Sequence, residues 1–171
     1  MKGSFVEKDL GYVRILNELA AMETMAVEVG LQNDGTSSDD GVLVAHYGAV
    51  NEFGTRDGHV PERSFMRSTF DETVNKLVST RAKIIGGVYA GKLTAEIGAG
   101  LLGELHQKDV QKKISSHPPP PNAPSTIAKK GSSGTLVDTG LLRQSVRWVL
   151  QRGSGGSALR VLARRIFKGA V

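Results

Sequence analysis

Apolar positions along the chain change period several times, and each change marks an element. From Asp9 to about Met22, Leu10, Val13, Leu16, Leu19 and Ala20 recur at steps of three and four, the spacing of one helix face. Met25, Val27, Val29 and Leu31 then alternate with Ala26, Glu28 and Gly30, which predicts a half-buried strand. Residues 33–41 are turn chemistry throughout. Periodicity does not settle the run 42–53: its opening favours strand, its remainder fits a helix with Ala45, Ala49 and Phe53 on one face, and we read it as helix. A polar loop follows over 54–63. The clearest helical stripe is Phe70, Val74, Leu77, Val78, Arg81, Ile84, Ile85 and Val88, which predicts the main core helix. Gly86, Gly87, Gly98 and Gly100 each weaken a helix by about 1 kcal/mol relative to alanine. A kink or break is therefore expected among them, with a second helix to about Ser115, where Pro118 to Pro121 end it.

The last third reads differently. Residues 117–135 combine consecutive prolines with Ser, Lys and Gly, the composition of a polyproline spacer and a flexible loop that extends from the body. Val146, Trp148 and Leu150 alternate with Arg147 and Val149, and Leu159, Val161 and Ala163 alternate with Arg160, Leu162 and Arg164. Two strands separated by the Gly/Ser-rich stretch 151–157 predict a basic C-terminal hairpin at 146–168. The whole predicts one structural domain over 1–171 of the α+β class, with long central helices, a helical core, a small antiparallel sheet and an extended Pro/Gly/Ser-rich loop. No fixed-period repeat is visible, which argues against solenoids and propellers.

Length and composition sharpen this. A compact chain of 18.2 kDa buries about 70% of the surface its unfolded form exposes. With only 5% aromatic residues and 21 glycines, however, the core should be thin, with partners expected to complete it. The absence of cysteine excludes disulfides, thiolate catalysis and Cys-ligated zinc. No stretch approaches the roughly 18 apolar residues of a membrane-spanning helix, so no membrane partner is expected. Acidic residues break any signal core near Met1, so no export signal is expected.

The net charge of +5 conceals a split. Residues 1–60 carry four basic and ten acidic side chains, a balance of minus six, whereas 126–171 carry nine basic residues against Asp138 alone, a balance of plus eight. Such polarity suits head-to-tail stacking of copies, an acidic partner or nucleic-acid phosphates. Plain solvation of both ends is the bland alternative. Arg147, Arg152, Arg160, Arg164, Arg165 and Lys168 are the candidate interface or DNA-facing residues. With few aromatics interleaved among them, any contact with DNA should be electrostatic and blind to sequence.

Catalytic motifs fail on context. Gly98, Gly100 and Gly103 spell G-x-G-x-x-G, but no buried strand precedes them and no acidic residue follows at about 20 positions, so close helix packing or a break is the better reading. Asp138-Thr139-Gly140 looks like the turn of a retroviral-type aspartic protease, yet too little chain follows for that β domain. Asp138 or Thr139 is better suited to capping a helix. His46, His59, His106 and His117 sit at no metal-binding interval. There is no nucleophile elbow and no Walker loop. Gly87 and Gly91 form a G-x-x-x-G that carries little information outside a membrane. The sequence therefore points to no enzyme, no cofactor and no metal.

Two segments taken together resemble a known family. The first is Glu52-Phe53-Gly54-Thr55 followed by Val60-Pro61-Glu62-Arg63-Ser64-Phe65-Met66-Arg67; the second is Leu136-Val137-Asp138-Thr139-Gly140-Leu141-Leu142-Arg143-Gln144-Ser145-Val146. Their order, with a long helical stretch between, resembles the virion-morphogenesis or tail-completion proteins of long-tailed bacteriophages, including the Mu-type family, with their E-[FY]-G-T, I-P-A-R-P-F and D-T-G-x-L-R-x-S blocks. Ser64 stands where that pattern has proline. The resemblance covers 52–146 and leaves 1–40 and the basic terminus outside.

The resemblance implies a non-enzymatic structural protein of the virion neck, assembled in the host cytoplasm as a homo-oligomeric ring of six copies. It would contact neighbouring neck and tail proteins and, in its lumen, DNA without sequence preference. A tail terminator capping the tail tube and a non-specific DNA-binding module are the alternatives, with an aspartic-type hydrolase further off. Within the blocks, Phe53 and Phe65 are expected to bury rings beside the main helix, Gly54 to allow a chain reversal, and Arg63 to pair with Glu52. Asp138 or Thr139 would cap a short helix carrying Leu141 and Leu142 that anchors the following strand. Such residues shape backbone, so the blocks, with Thr55, Pro61, Gly140, Arg143 and Ser145, are read as scaffold. The loop 117–135 and the terminal hairpin are the better candidates for interfaces.

Overall fold

The fold comes from a computed structural model that describes residues 11–32, 35–37, 41–131, 133–136 and 140–153. In chain order these form α1 (Tyr12–Thr24), β1 (Met25–Leu31), α2 (Val44–Phe53), α3 (Met66–Tyr89), α4 (Ala95–Ser115), α5 (Pro124–Lys130), α6 (Leu141–Ser145) and β2 (Val146–Arg152). The architecture is α+β: α3 and α4 pack side by side, and a two-stranded antiparallel sheet lies against α4.

β1 and β2 pair from Met25 opposite Arg152 to Leu31 opposite Val146. A strand's side chains alternate between faces, so this register puts Val27, Val29 and Leu31 beside Leu150, Trp148 and Val146 on one face. β2 thus takes its partner from the start of the chain. The predicted second strand of a terminal hairpin, 159–163, lies outside the described residues, as do Arg160, Arg164, Arg165 and Lys168.

Val44, Phe65, Val110, Ile114, Leu136, Leu142 and Val146 form the core, with Val29, Leu31, Met66 and Leu141 packed against it. Contributions come from nearly every element, but the core is small. Among the described residues ten hydrophobic side chains are buried, while twelve large ones, including Tyr12, Val13, Phe70 and Tyr89, are exposed.

The main helix does not break at its paired glycines. α3 runs through Gly86 and Gly87 to Tyr89, and the chain then reverses at Gly91, whose φ of +67° suits glycine. The Lys92 N–H donates to Gly87 O at 2.9 Å, and Leu93 folds back over Gly87, where any Cβ would lie 2.7 Å from its Cδ1. α4 is likewise continuous through Gly98, Gly100 and Gly103. A Cβ at Gly98 would stand 2.4 Å from Ile84 of α3, and one at Gly103 within 2.9 Å of the Trp148 indole. Those glycines let α4 approach both neighbours closely, and the packing gained offsets their poor helix propensity.

Three helix faces differ from the predicted ones. In α3, expected to be the main core helix, Ile84 and Val88 of the stripe are buried, but Phe70, Val78 and Arg81 are exposed. α2 buries Val44, Gly48, Asn51 and Glu52, while Ala45 is half-buried and Ala49 and Phe53 are exposed. Gly48 decides the orientation, because only a residue without a side chain lets Leu31 and Leu142 come so near. In α1 the stripe Val13, Leu16 and Ala20 faces outward, and Ile15, Glu18, Leu19 and Met22 turn partly inward. Two polar anchors set this rotation: Arg14 donates to Gly91 O at 3.2 Å and Glu18 accepts from the Ala95 N–H at 2.7 Å. α1 therefore holds both ends of the turn joining α3 to α4.

The proline-rich segment is more ordered than its composition suggests. Within 117–135, Pro124 opens α5 and Gly131 closes it in the left-handed conformation. Thr135 Oγ1 donates to Pro118 O at 2.9 Å and Asn122 Nδ2 to Gly134 O at 2.9 Å, so the two sides of the loop are strapped together at its base. Most of α5 is exposed.

Candidate functional site

α3 begins with no cap of its own, since Phe65 at its N-cap position gives no side-chain hydrogen bond. Four N–H groups at a helix start lack intrahelical partners, and a carboxylate there is favoured by the helix dipole as well. Glu52, at the end of α2, fills that role. Its Oε2 accepts from the N–H of Phe65 at 2.7 Å and of Met66 at 2.8 Å. Its Oε1 accepts from the Arg67 N–H at 3.0 Å, Arg67 Nε at 3.1 Å and Ser64 Oγ at 2.8 Å. The Glu52 side chain is 6% exposed. A carboxylate so thoroughly hydrogen-bonded organises the backbone around it.

This arrangement corrects the expected pairing of Arg63 with Glu52. Arg67 takes that place, with its Nη2 also donating to Glu52 O at 3.0 Å and to Glu62 Oε1 at 2.7 Å. Partial burial opposes the Arg67 charge, but the Glu52 and Glu62 carboxylates outweigh it and raise its pKa above the ordinary guanidinium value. Arg63 is buried and reaches across the molecule, donating from Nε to Pro120 O at 2.8 Å and from Nη2 to Pro121 O at 3.1 Å. Those carbonyls belong to prolines that offer no N–H, so a planar two-donor side chain is well matched to them. Ser64 contributes a hydroxyl that proline would lack.

The two phenylalanines also divide. Phe65 is fully buried in the core, whereas Phe53 is 58% exposed with the Arg67 guanidinium 4.8 Å above its ring. Phe53 is therefore not buried as expected: α2 turns Val44, Gly48, Asn51 and Glu52 inward, and Phe53 lies off that face. Gly54 ends α2 at φ +71°, and a Cβ there would lie 2.9 Å from Glu62 N. Thr55 closes the loop after it, its Oγ1 accepting from the Val60 N–H at 2.9 Å. Pro61 is half-buried in the extended stretch that follows.

The second block meets the first in the core, where Leu142 and Val146 join Phe65. Gly140, at φ +79°, occupies the cap position of α6; Asp138 and Thr139, the residues expected to cap it, lie outside the described residues. α6 carries Leu141 half-buried and Leu142 buried, and β2 starts directly from it. Gln111 of α4 clamps the junction, donating from Nε2 to Arg143 O at 3.2 Å and Val146 O at 3.3 Å. The Arg143 side chain is exposed and Ser145 is half-buried. Of the candidate cationic residues that are described, Arg147 and Arg152 are exposed, and Arg152 pairs with Glu96 at 2.8 Å.

Among the described residues no cluster of His, Asp or Glu has the makings of a metal site. His106 stands apart from the other histidines: its ring meets Phe70 edge-on at 6.2 Å and its Nδ1 is buried without a hydrogen-bond partner. Burial pushes its pKa below the ordinary imidazole value, with Asp109 opposing and Lys76 reinforcing.

Arg14 and Glu18 carry no sequence signal, and Ser64 and Arg67, although they stand in the first block, show nothing there of the contacts they make. Their partners lie 12 to 15 residues away for Glu52 and 77 for Arg14 and Glu18, beyond any local spacing rule. No protein-family profile, curated protein or solved structure matches the chain.

Proposed function

We propose that the chain is a non-enzymatic structural protein of a bacteriophage virion neck, a tail-completion or head-tail joining subunit that assembles as a ring between the portal-proximal connector and the tail. The reading rests first on the ordered motif blocks. Their described residues serve internal ends: Glu52 caps a helix, Gly54 reverses the chain, Arg63 straps a loop, and Phe65, Leu142 and Val146 fill the core.

One observation carries the step from scaffold to assembly. The long helices leave Tyr12, Val13 and Leu16 of α1, Phe70, Val78 and Tyr89 of α3, and Ile97 and Leu101 of α4 exposed, against a core of only ten buried hydrophobic residues among those described. Large exposed apolar side chains in this number suit association, and repetition around a closed ring would cover them. Six copies are what the resemblance implies. The acidic opening third and the basic end of the chain supply complementary surfaces for stacking on neighbours.

Mass photometry of the purified chain, beside electron microscopy of the particle neck, tests this. The expected result is a closed oligomer whose density sits between portal and tail. A persistent monomer absent from virions would refute the proposal, and a ring on the tail-tube end would make the chain a terminator.

A further inference from the structure

The two edges of the sheet are finished differently. Just past the ends of the strands Gly153 N–H donates to Thr24 O at 2.8 Å, which makes these two opposed residues a bonded pair. Bonded and non-bonded pairs alternate along an antiparallel ladder, so bonding continues at Ala26 with Gln151, Glu28 with Val149 and Gly30 with Arg147. The N–H and C=O groups of Val27, Val29 and Leu31 therefore point away from β2, and those of Val146, Trp148 and Leu150 point away from β1. On the β2 side α4 meets two of them: Trp148 N–H donates to Gln107 Oε1 at 3.0 Å, and Val146 O accepts from Gln111 Nε2 at 3.3 Å. On the β1 side no described residue hydrogen-bonds to the outward groups of Val27, Val29 or Leu31.

β1 also lacks the features by which an edge strand repels other chains. It has no lysine, no proline and no bulge, and its single charge, Glu28, accepts from Gln151 Nε2 at 3.4 Å. Outward backbone donors and acceptors in strict alternation match one chemistry, another extended strand. Among the described strands, β2 is closed by Gln107 and Gln111 at its start, so the strand with the longest free edge to offer is β1 of a second copy.

We propose that β1 pairs along this edge with β1 of a second copy, antiparallel about a two-fold axis through Val29, to give a four-stranded sheet in the order β2-β1-β1-β2. The register follows from charge and free donors. Centring on Glu28 gives the longest overlap but sets two carboxylates directly opposite each other. Centring on Val27 opposes Val29 to Met25, whose N–H is already given to Met22 O. Centred on Val29, that residue faces its own copy, Val27 faces Leu31, and each of their N–H groups meets a carbonyl. Glu28 then lies opposite Gly30, which has no side chain to crowd it. The contact is isologous and made by backbone, a different surface from the apolar helix faces that a ring would cover.

The cysteine-free chain makes the contact readable by cross-linking. In this register Glu28 and Gly30 of the other copy form a non-bonded pair with Cα atoms about 4.5 Å apart, within reach of a disulfide. A Cβ at Gly30 meets only Met66 Cε at 3.7 Å, an ordinary contact. Full-length Glu28→Cys mixed with full-length Gly30→Cys and mildly oxidised should give a dimer on non-reducing electrophoresis. Its yield should be several-fold above that of either variant alone, or of Gln151→Cys on the exposed side of β2. No such dimer in the mixture would overturn the proposal, and an equal yield from Glu28→Cys alone would overturn the register. In the unaltered chain, amide exchange at Val27, Val29 and Leu31 should slow on the order of tenfold as protein concentration rises, while Ala26, Glu28 and Gly30, held by β2 in either state, stay unchanged. Exchange at Val27 and Val29 that ignores concentration would also overturn the pairing and leave the edge to a partner of another kind. Both readouts use free protein and none of the helix faces assigned to the ring, so the pairing can fail while the neck proposal stands, and the reverse.

Discussion

Replacing Glu52 by Gln tests whether the start of α3 is held by a carboxylate from another helix. Glutamine keeps the shape but supplies one acceptor oxygen and an NH₂ group in place of two acceptor oxygens. If its oxygen stays at the Oε1 position, the Phe65 and Met66 N–H groups face a donor; if the amide flips, the Arg67 N–H, Arg67 Nε and Ser64 Oγ lose their acceptor instead. Either way at least two charge-assisted bonds go, each worth about 1.5–3 kcal/mol, and the stranded donors sit beside a fully buried Phe65. We expect a loss of about 3–5 kcal/mol, a large part of the roughly 5–15 kcal/mol of a typical domain, and a drop in Tm on the order of 10 °C. Urea denaturation followed by circular dichroism at fixed protein concentration reads the change as a lower midpoint with an unchanged slope. Arg67→Ala is the control. Its guanidinium is half exposed, so removing the ion pair should cost about 1 kcal/mol or less. A Glu52→Gln loss below about 1 kcal/mol, or one equalled by Arg67→Ala, would refute the capping argument.

Other expectations follow from single contacts. Gly103→Ala would press a methyl group within 2.9 Å of the Trp148 ring, costing about 1–3 kcal/mol and shifting the emission of the only tryptophan; an unshifted spectrum with full stability would count against the close α4–sheet packing. Gly54→Ala forces a side chain onto φ +71° and to 2.9 Å from Glu62 N, and should cost about 2 kcal/mol or more by thermal unfolding, against about 1 kcal/mol for alanine at Gly58, where φ is +73° but nothing stands within 4 Å; equal losses would dismiss the close contact as a cause. His106 has a lowered pKa in the folded state, so the unfolded chain binds the extra proton first: its stabilising share is full above the ordinary value near 6.5 and falls as pH drops toward the folded value. Denaturation midpoints at pH 7.5 and 5.5 should therefore differ less in His106→Leu than in the parent chain, and equal differences would dismiss the imidazole as the cause.

Regular elements were legible where period alone defines them. The alternation of Met25, Val27, Val29 and Leu31 marks β1 to the residue, and the stripe from Phe70 to Val88 falls within α3. Orientation was less legible, because tertiary anchors rotate a helix independently of its apolar stripe. Glu18 and Arg14 turn α1, and Gly48 with Glu52 turns α2, so Val13, Leu16 and Phe53 face outward although they lie on the apolar face of the pattern. Glycine in a helix read as a break for the same reason: its cost is local and visible, while its benefit at Gly98 and Gly103 depends on Ile84 and Trp148 arriving from elsewhere. The pairing of β1 with β2 has no local signal at all.

That pairing also constrains how the chain is made. β1 is synthesised before helices α2 to α6, and its only described partner strand follows them. About 120 residues at ~5–20 residues per second leave Val27, Val29 and Leu31 without their ladder for on the order of ten seconds. During that interval a nascent subunit offers an open edge to any neighbour on the same messenger, so β1 is the place where crowded ribosomes would entangle copies and where a holding chaperone would gain most.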